Sequence, residues 1–410
     1  MSGGVGTARL HGSTIALAGA ETIVWAGLYY LFPALLLHFE RDLGNKTALA
    51  GAFTAALLLS ALAAPVAGRI IDRGFGRELL TGSALAGGLL LVLLAAAETM
   101  VQFYLVWLGL GLAMAGCLYE PCFAHVTHVR GAAARLVITR ITLVAGFAGT
   151  VSFPIANLIA GLGGWRASAL VFAGLILIVG VPLMWLGAAA PEEAKNLREP
   201  AKHPGVTAPE GAFARAAASP VFWLLAAAFT MVALNHGILI THLLPLLAER
   251  EVDTGLAVIA VSLIGPMQVL GRLLMLAAER RVSISAVSAI SFIAMSLASS
   301  LLLLAPAALP ALFLFVALQG AGYGVTSITR PAITAVYLGR VGFGVISGAL
   351  ATAFMGATAL APTVAALIWT VGGYDLVLIT CIATAAAGLV CFGAAWHYAG
   401  SGDRDRARDA

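Results

Sequence analysis

The sequence predicts an all-α membrane protein with twelve transmembrane helices in two pseudo-symmetric six-helix bundles, and three observations lead to this prediction. The chain is 61% hydrophobic and 10% charged, with a mean hydropathy of +0.98, whereas soluble domains are about 45–50% apolar and 25% charged. Its apolar stretches have the length of about 20 residues that a spanning helix needs. Short motifs also recur in its two halves at nearly equal offsets.

The apolar stretches follow one another with short loops between them. The first six predicted spans are 13–38, 49–70, 79–97, 101–127, 137–161 and 167–188. The second six are 219–247, 254–277, 282–304, 309–335, 342–368 and 374–398. The first span carries Glu21 and Trp25 and is too long for a signal-peptide core, so we expect it to be retained.

The chain divides into four predicted segments. Residues 1–190 form the N-terminal bundle, 191–218 a cytoplasmic linker, 219–400 the C-terminal bundle and 401–410 a cytoplasmic tail. The linker combines four prolines with charged residues, which is typical of an irregular connection. With both termini inside, sixteen Lys and Arg residues fall in cytoplasmic segments and four in outside loops. This asymmetry predicts cytoplasmic termini in the inner membrane.

Several motifs repeat between the halves. Gly163-Gly164-Trp165-Arg166 and Gly372-Gly373-Tyr374-Asp375 open the sixth and twelfth spans, and Pro154 matches Pro362. Glu120-Pro121 in the fourth span matches Arg330-Pro331 in the tenth, and we expect both prolines to bend their helices. A charge in hydrocarbon costs roughly 2.5–3.5 kcal/mol even on insertion scales, so its default interpretation is functional. These repeats predict a duplicated transporter with a polar centre.

The loop between the second and third spans reads Gly68-Arg69-Ile70-Ile71-Asp72-Arg73-Gly74-Phe75-Gly76-Arg77. It resembles the signature Gly-x-x-x-Asp-Arg-x-Gly-Arg-[Lys/Arg] of the major facilitator superfamily, departing at the last place, which is Glu78. The resemblance implies the twelve-helix fold of that family. It also implies a conformational latch made by Gly68, Asp72, Arg73, Gly76 and Arg77. The second-half copy is degenerate, with Met275 in place of the aspartate.

A looser resemblance concerns Leu118-Tyr119-Glu120-Pro121 and Gly163-Gly164-Trp165-Arg166. These stretches are similar to bacterial transporters near the monocarboxylate and oxalate-formate branch, which includes arsenite exporters. The fifth span lacks the Gly-Pro pair of proton-coupled drug antiporters, which disfavours drug/proton antiport.

In the fold that the resemblance implies, spans one, four, seven and ten line a central cavity. Polar and aromatic side chains collect on these spans, and steps of three and four residues place them on shared helical faces. The candidate substrate-binding residues are Arg330, Glu120, Tyr323, Gln319, Trp25, Tyr29, Asn235 and His242.

Arg330 and the acidic residues have competing interpretations. The guanidinium of Arg330 matches an oxyanion, so this residue either contacts the substrate or pairs with Glu120 or Glu21. Glu120 is a candidate proton carrier, because burial disfavours the charged form of a carboxyl group and a nearby guanidinium favours it. Glu21 is the other candidate proton carrier. The alternative interpretation of Glu21 is that it caps the rim of the cavity. His236 and His242 either relay protons or make polar helix contacts.

All four cysteines lie in predicted spans and give no disulfide framework. Cys117 and Cys122 are candidate metalloid ligands because thiolates favour soft ligands. On a straight helix they would lie about 140° apart, which is unsuitable for chelation unless Pro121 bends the helix.

We expect a secondary transporter and not an enzyme, since no nucleophile triad, zinc spacing or phosphate loop occurs. No cofactor and no nucleic-acid partner is predicted. The expected activity is alternating-access transport, as a symporter or antiporter with a proton or another coupling ion, of a small anionic or polar organic solute. The alternative is efflux of arsenite, antimonite or another toxic compound. The chain is expected to act as a monomer in the lipid bilayer.

Overall fold

A computed structural model describes residues 3–131, 134–189, 212–278, 281–304, 308–339 and 343–408. Most of the predicted linker therefore lies outside the described residues, as does the end of the tail. The chain separates into two compact units, Met1–Ala201 and Lys202–Ala410. The secondary structure of the described residues is helical, as the sequence predicts.

The N-terminal unit begins with α1 (Gly3–Val24), a π-helical turn at Trp25–Tyr30 and α2 (Leu31–Leu43), which together form one continuous segment. The other helices of this unit are α3 (Lys46–Ile70), α4 (Gly76–Ala95), α5 (Met100–Cys117), α6 (Tyr119–Arg130), α7 (Ala134–Ala145), α8 (Ala148–Leu175) and α9 (Val181–Gly187). Two more π-helical turns, Ile71–Phe75 and Ile176–Gly180, precede α4 and α9.

The C-terminal unit starts with the short α10 (Ala212–Ala217). It continues with α11 (Pro220–Glu249), α12 (Thr254–Ala278), α13 (Ile284–Leu304), α14 (Leu309–Leu338) and the long α15 (Phe343–Arg408). The last helix extends beyond residue 398, where the sequence predicted the end of the final span.

Nine described segments are long and apolar enough to cross a membrane, and three of them contain 50 to 55 residues. At 1.5 Å per residue such a segment is more than twice as long as a bilayer core of about 30 Å is thick. Each of the three is interrupted by residues outside the helical region, at Gly74, Gly163–Gly164 and Gly372–Gly373. These interruptions support the predicted count of twelve spans.

Gly164 and Gly373 are equivalent turning points in the two units. Their φ angles are 76° and 63°, a region that glycine adopts without the steric cost of a Cβ atom. The chain therefore turns at the two repeated Gly-Gly motifs, where the sequence predicts the boundary between the fifth and sixth spans and that between the eleventh and twelfth.

Helix packing follows the same plan in both units. In the first unit α5 packs against α3 and α4, while α1 packs against α7 and α9. In the second unit α14 packs against α12 and α13, while α11 packs against α15. Close approach depends on small residues: a Cβ atom at Gly111 would lie 2.2 Å from the Ala56 carbonyl oxygen, and one at Gly324 would lie 2.3 Å from that of Gln268.

Candidate functional site

The fourth span is broken at its charged motif. Helix α5 ends at Cys117, Leu118 is extended with φ −87° and ψ −165°, and α6 starts at Tyr119. The cause is Pro121, which has no N–H for the Cys117 carbonyl and whose ring would clash with it in a continuous helix. The predicted bend is therefore a complete break. It places Glu120, which is exposed, in the first turn of α6.

Glu21 lies in α1 and is completely buried. The thiol of Cys122 and the indole of Trp25 approach its carboxyl group without reaching hydrogen-bond geometry, and a charge on Glu120 would act on it as well. Among the described residues, neither carboxylate oxygen has a hydrogen-bond partner, and the indole nitrogen of Trp25 has none either. The α-helix gives way to a π-helical turn at Trp25, and such turns occur frequently at functional sites. Burial favours the functional interpretation of Glu21 over a capping role.

Aromatic rings surround Trp25. Its ring centroid lies 5.2 Å from that of Tyr29, 6.2 Å from Tyr30 and 4.5 Å from Tyr119. We call Trp25, Tyr29, Tyr30 and Tyr119 the aromatic cluster; all four side chains are only partly buried. The candidate substrate residues Trp25 and Tyr29 thus lie together with Tyr30 and Tyr119, which come from the π-helical turn and from α6.

The break in the fourth span also changes the position of the two thiols. Cys117 and Cys122 are both fully buried, and a negative charge on Glu21 would act on both of them. The Cys117 thiol donates to the Ala113 carbonyl at 3.1 Å. In the described part of the chain, no group of three or more His, Cys, Asp or Glu side chains is placed to hold a metal ion.

In the C-terminal unit, α14 runs through Pro331 without a break. Arg330 is partly buried, and its guanidinium carbon lies 4.2 Å from the centre of the Phe354 ring. Tyr323, two turns earlier, stacks on His236 of α11 with ring centroids 3.4 Å apart. Arg330 is thus a permanent cation on a membrane helix, and its contact with the Phe354 ring stabilises the charge.

The amides of Asn235 and Gln319 form a buried network. The Gln319 amide donates to Asn235 Oδ1 at 3.0 Å, and the Asn235 amide donates to the Cys381 carbonyl at 2.9 Å. Both side chains are fully buried. Gln319 Oε1 has no hydrogen-bond partner among the described residues. The network joins α11, α14 and α15, so these two candidate substrate residues also hold the unit together.

His242 makes two contacts within the C-terminal unit. One ring nitrogen lies 3.2 Å from the Tyr374 hydroxyl and the other 3.1 Å from the Pro362 carbonyl. His242 is also buried. It therefore joins α11 to two of the repeated motifs, and this contact favours the interpretation of His242 as a polar helix contact.

The signature loop forms the π-helical turn before α4, where Gly74 has φ 88°. Asp72 and Arg73 are exposed, and Gly76 packs so closely that a Cβ atom there would lie 2.3 Å from His125 Nδ1. Arg77 donates to the Trp185 carbonyl at 2.9 Å and lies over the indole of the same residue. Arg77 therefore connects this loop to α9, while the latch role of Asp72 stays a prediction.

The sequence analysis missed two equivalent ion pairs, one in each unit, in which the acidic and the basic residue have exchanged positions. Asp42 in the first unit pairs with Arg166 at 3.2 Å and accepts a hydrogen bond from the Trp165 indole at 2.7 Å. In the second unit Arg250 pairs with Asp375. The signal was available, because Asp42 and Arg250 are separated by nearly the same offset as Trp165-Arg166 and Tyr374-Asp375. The acid and the base have exchanged places between the halves, as in Glu120 and Arg330.

These features define a multi-pass membrane transport protein: two helical units with matching packing, a broken span and ionisable side chains within membrane segments. The family model of the Major Facilitator Superfamily matches residues 17–284, well over half of the chain, and the protein belongs to that superfamily. It is thus a transporter and not an enzyme. The comparison with curated proteins gives no match.

Solved structures of transporters share the fold. The nucleoside transporter NupG is 14% identical over 95% of this chain and 98% of its own, with a TM-score of 0.73. A bacterial homologue of the human lysosomal transporter Spinster, inward-facing and occupied, is 16% identical over 95% of this chain and 96% of its own, with a TM-score of 0.66. The same homologue in its inward-facing, unoccupied form gives 0.68. At these identities the likeness concerns the fold.

Proposed function

We propose that the protein is a secondary active transporter that moves a small organic solute, anionic or polar, across the cytoplasmic membrane by alternating access. The observation that carries the anionic preference is Arg330. It is a permanent cation within a membrane helix, stacked on Phe354 and on the same helical stripe as Tyr323 and Gln319. A guanidinium presents a planar fork that fits carboxylates and related oxyanions, so the solute meets Arg330 through such a group.

We propose proton coupling through Glu21, with Glu120 as the second acidic residue. The burial of Glu21 supports this assignment, because its carboxylate oxygens have no hydrogen-bond partner among the described residues, and such a carboxyl group is tolerated inside a membrane protein far better when it carries a proton. Both termini are proposed to lie in the cytoplasm of a cell with an inner membrane, and the transporter to work as a monomer.

The test of the solute site uses purified protein in liposomes. A thermal-stabilisation screen of mono- and dicarboxylates selects the anion, and uptake of that anion is measured for Arg330→Ala, Arg330→Lys and the control Arg281→Ala. Arg281 is exposed in the same unit. We expect Arg330→Ala to abolish uptake, Arg330→Lys to retain part of it because a point charge replaces the fork, and Arg281→Ala to transport normally. Normal uptake by a well-expressed Arg330→Ala protein would remove Arg330 from the mechanism.

Export of arsenite or antimonite is the second candidate. It is favoured by one observation: both buried thiols lie within reach of a charge on Glu21. Three soft ligands are not assembled among the described residues, so the organic solute is preferred. Cells that express the unaltered protein and the Cys117→Ser variant should therefore tolerate arsenite equally. Protection that depends on Cys117 would reverse the preference.

A further inference from the structure

A groove lies between α12 and α13 in the C-terminal unit. Both helices pack along α14, whereas packing between α12 and α13 is slight among the described residues. A Cβ atom at Gly271 of α12 would lie 2.5 Å from the Ala321 carbonyl oxygen, and one at Gly322 of α14 would lie 3.1 Å from the Ser291 carbonyl oxygen of α13. The two helices therefore approach α14 closely and leave a space between themselves, with α14 as its floor.

The groove has a volume of about 300 Å³, which is at the lower end of the range found for ligand pockets. Its apolar lining includes Leu274, Met275, Ala278, Ile290, Ala294 and Val325. Ser291 also lines the groove, but its hydroxyl donates to the Val287 carbonyl of the same helix at 3.0 Å. The lining therefore suits an apolar ligand and not the anionic or polar solute assigned to Arg330.

The groove opens toward the bilayer. Leu274 on one wall is 58% exposed and Ile290 on the other is 59% exposed, and both helices are long and apolar enough to span a membrane. The medium at the mouth of the groove is therefore hydrocarbon. From Gly271 to Ala278, α12 rises by about 10 Å, whereas one leaflet of the hydrocarbon core is about 15 Å thick. The groove thus has the depth of a single leaflet.

We propose that this groove binds one acyl chain of a membrane phospholipid between α12 and α13. An acyl chain is apolar, enters from the side and extends through one leaflet. Its dispersion contacts with the walls replace contacts that the two helices do not make with each other. A helix of a second protein, at least about 10 Å across, is too wide for a space of this volume. The inference goes beyond the proposed function and is independent of the solute.

The experiment locates the acyl chain by photolabelling. The purified full-length protein is placed in nanodiscs of phosphatidylcholine, a small fraction of which carries a diazirine in its acyl chain. After illumination, mass spectrometry identifies the labelled residues. Segment 89–93 of α4, which contains the exposed Leu89 and Leu93, is the reference for lipid that only surrounds the protein.

Two variants fill the groove, and a third is their matched control. Ala278→Phe and Ala294→Phe each place a phenyl ring in the lining, one from each wall. Ala277→Phe adds the same ring at an exposed neighbouring position of α12 that is outside the lining. Gel filtration checks that the variants remain folded, and Ala278→Phe at the end of α12 keeps the test decisive if Ala294→Phe does not fold.

We expect the groove residues of the unaltered protein to be labelled more strongly than the α4 reference. In Ala278→Phe and Ala294→Phe this labelling should fall to the level of the reference, because the ring occupies the space of the chain, while Ala277→Phe should be labelled like the unaltered protein. The inference would be overturned by groove labelling no stronger than the reference, or by labelling that persists in a folded groove-filling variant. Neither result bears on transport through Arg330, which the uptake experiment tests separately.

Discussion

The substitution Glu21→Gln should abolish proton-coupled accumulation of the solute and leave the stability of the fold unchanged. Glu21 is 0% exposed and neither of its carboxylate oxygens has a described hydrogen-bond partner. An ionised carboxylate in such a place would cost roughly several kcal/mol, because a buried charge without a partner keeps its desolvation penalty. Glutamine has nearly the same shape and no charge. We therefore expect Glu21→Gln to unfold at the same denaturant concentration as the unaltered protein, or at a higher one.

The functional effect has a defined size. A proton gradient of one pH unit supplies about 1.36 kcal/mol per coupled proton, which corresponds to about tenfold accumulation of a neutral co-transported species. If Glu21 carries the proton, Glu21→Gln should show no accumulation in response to a pH gradient. Exchange of solute across the membrane, measured at saturating concentration, should continue because it needs no net proton movement.

The assay uses liposomes with an imposed pH gradient and a clamped membrane potential, with Glu98→Gln as the matched control. Accumulation by Glu21→Gln that equals the control would show that the proton is not carried by Glu21, and Glu120→Gln would then be the next variant. A strong loss of stability in Glu21→Gln would contradict the physical argument itself, because it would mean that the carboxyl group makes an essential contact.

Three further predictions concern stability, measured as unfolding free energy in detergent. Asp42→Ala should cost about 1–3 kcal/mol because it leaves the buried Trp165 indole N–H without its acceptor, whereas Asp42→Asn, which keeps an acceptor, should cost less than about 1 kcal/mol; equal losses would refute this ranking. Arg250→Asp combined with Asp375→Arg should recover most of the stability that either single change removes, because the first unit already shows the opposite polarity, and additive losses would contradict that view. Gly111→Leu should cost about 3 kcal/mol or more, since even a Cβ atom would lie 2.2 Å from a backbone oxygen, and a neutral result would show that the helices separate easily.

Much of the fold could be predicted because a bilayer restricts the possibilities. Apolar stretches of spanning length must be helical so that the backbone satisfies its own hydrogen bonds, and the repeated Gly-Gly motifs marked the turns at Gly164 and Gly373. The signature loop predicted the superfamily that the family model shows. Arg330 and Glu120 were identified from the sequence alone, because a charged residue within an apolar run can be recognised without a structure.

The positions of side chains could not be predicted in the same way. The sequence could not show that Cys117 and Cys122 lie on either side of a helical break, both within reach of a charge on Glu21. Tyr119, the first residue of α6, lies with its ring centroid 4.5 Å from that of Trp25, a contact between two spans that no helical pattern predicts. Asn235 and Gln319 were assigned to the substrate from their helical faces, and the structure shows them bonded to each other. Each of these outcomes depends on how one helix meets another, which no single helical pattern contains.

The sequence by itself therefore determined the membrane class, the helical spans, the repeat and the charged residues at its centre, because these follow from hydrophobicity and local spacing. Only the tertiary structure decided that Glu21 is buried without a described hydrogen-bond partner, that an aromatic cluster adjoins it, and that the ion pairs Asp42–Arg166 and Arg250–Asp375 have exchanged their acid and base. The physical reason is that burial and pairing are properties of packed neighbours far apart in the chain, and a helical break of one residue is enough to change them.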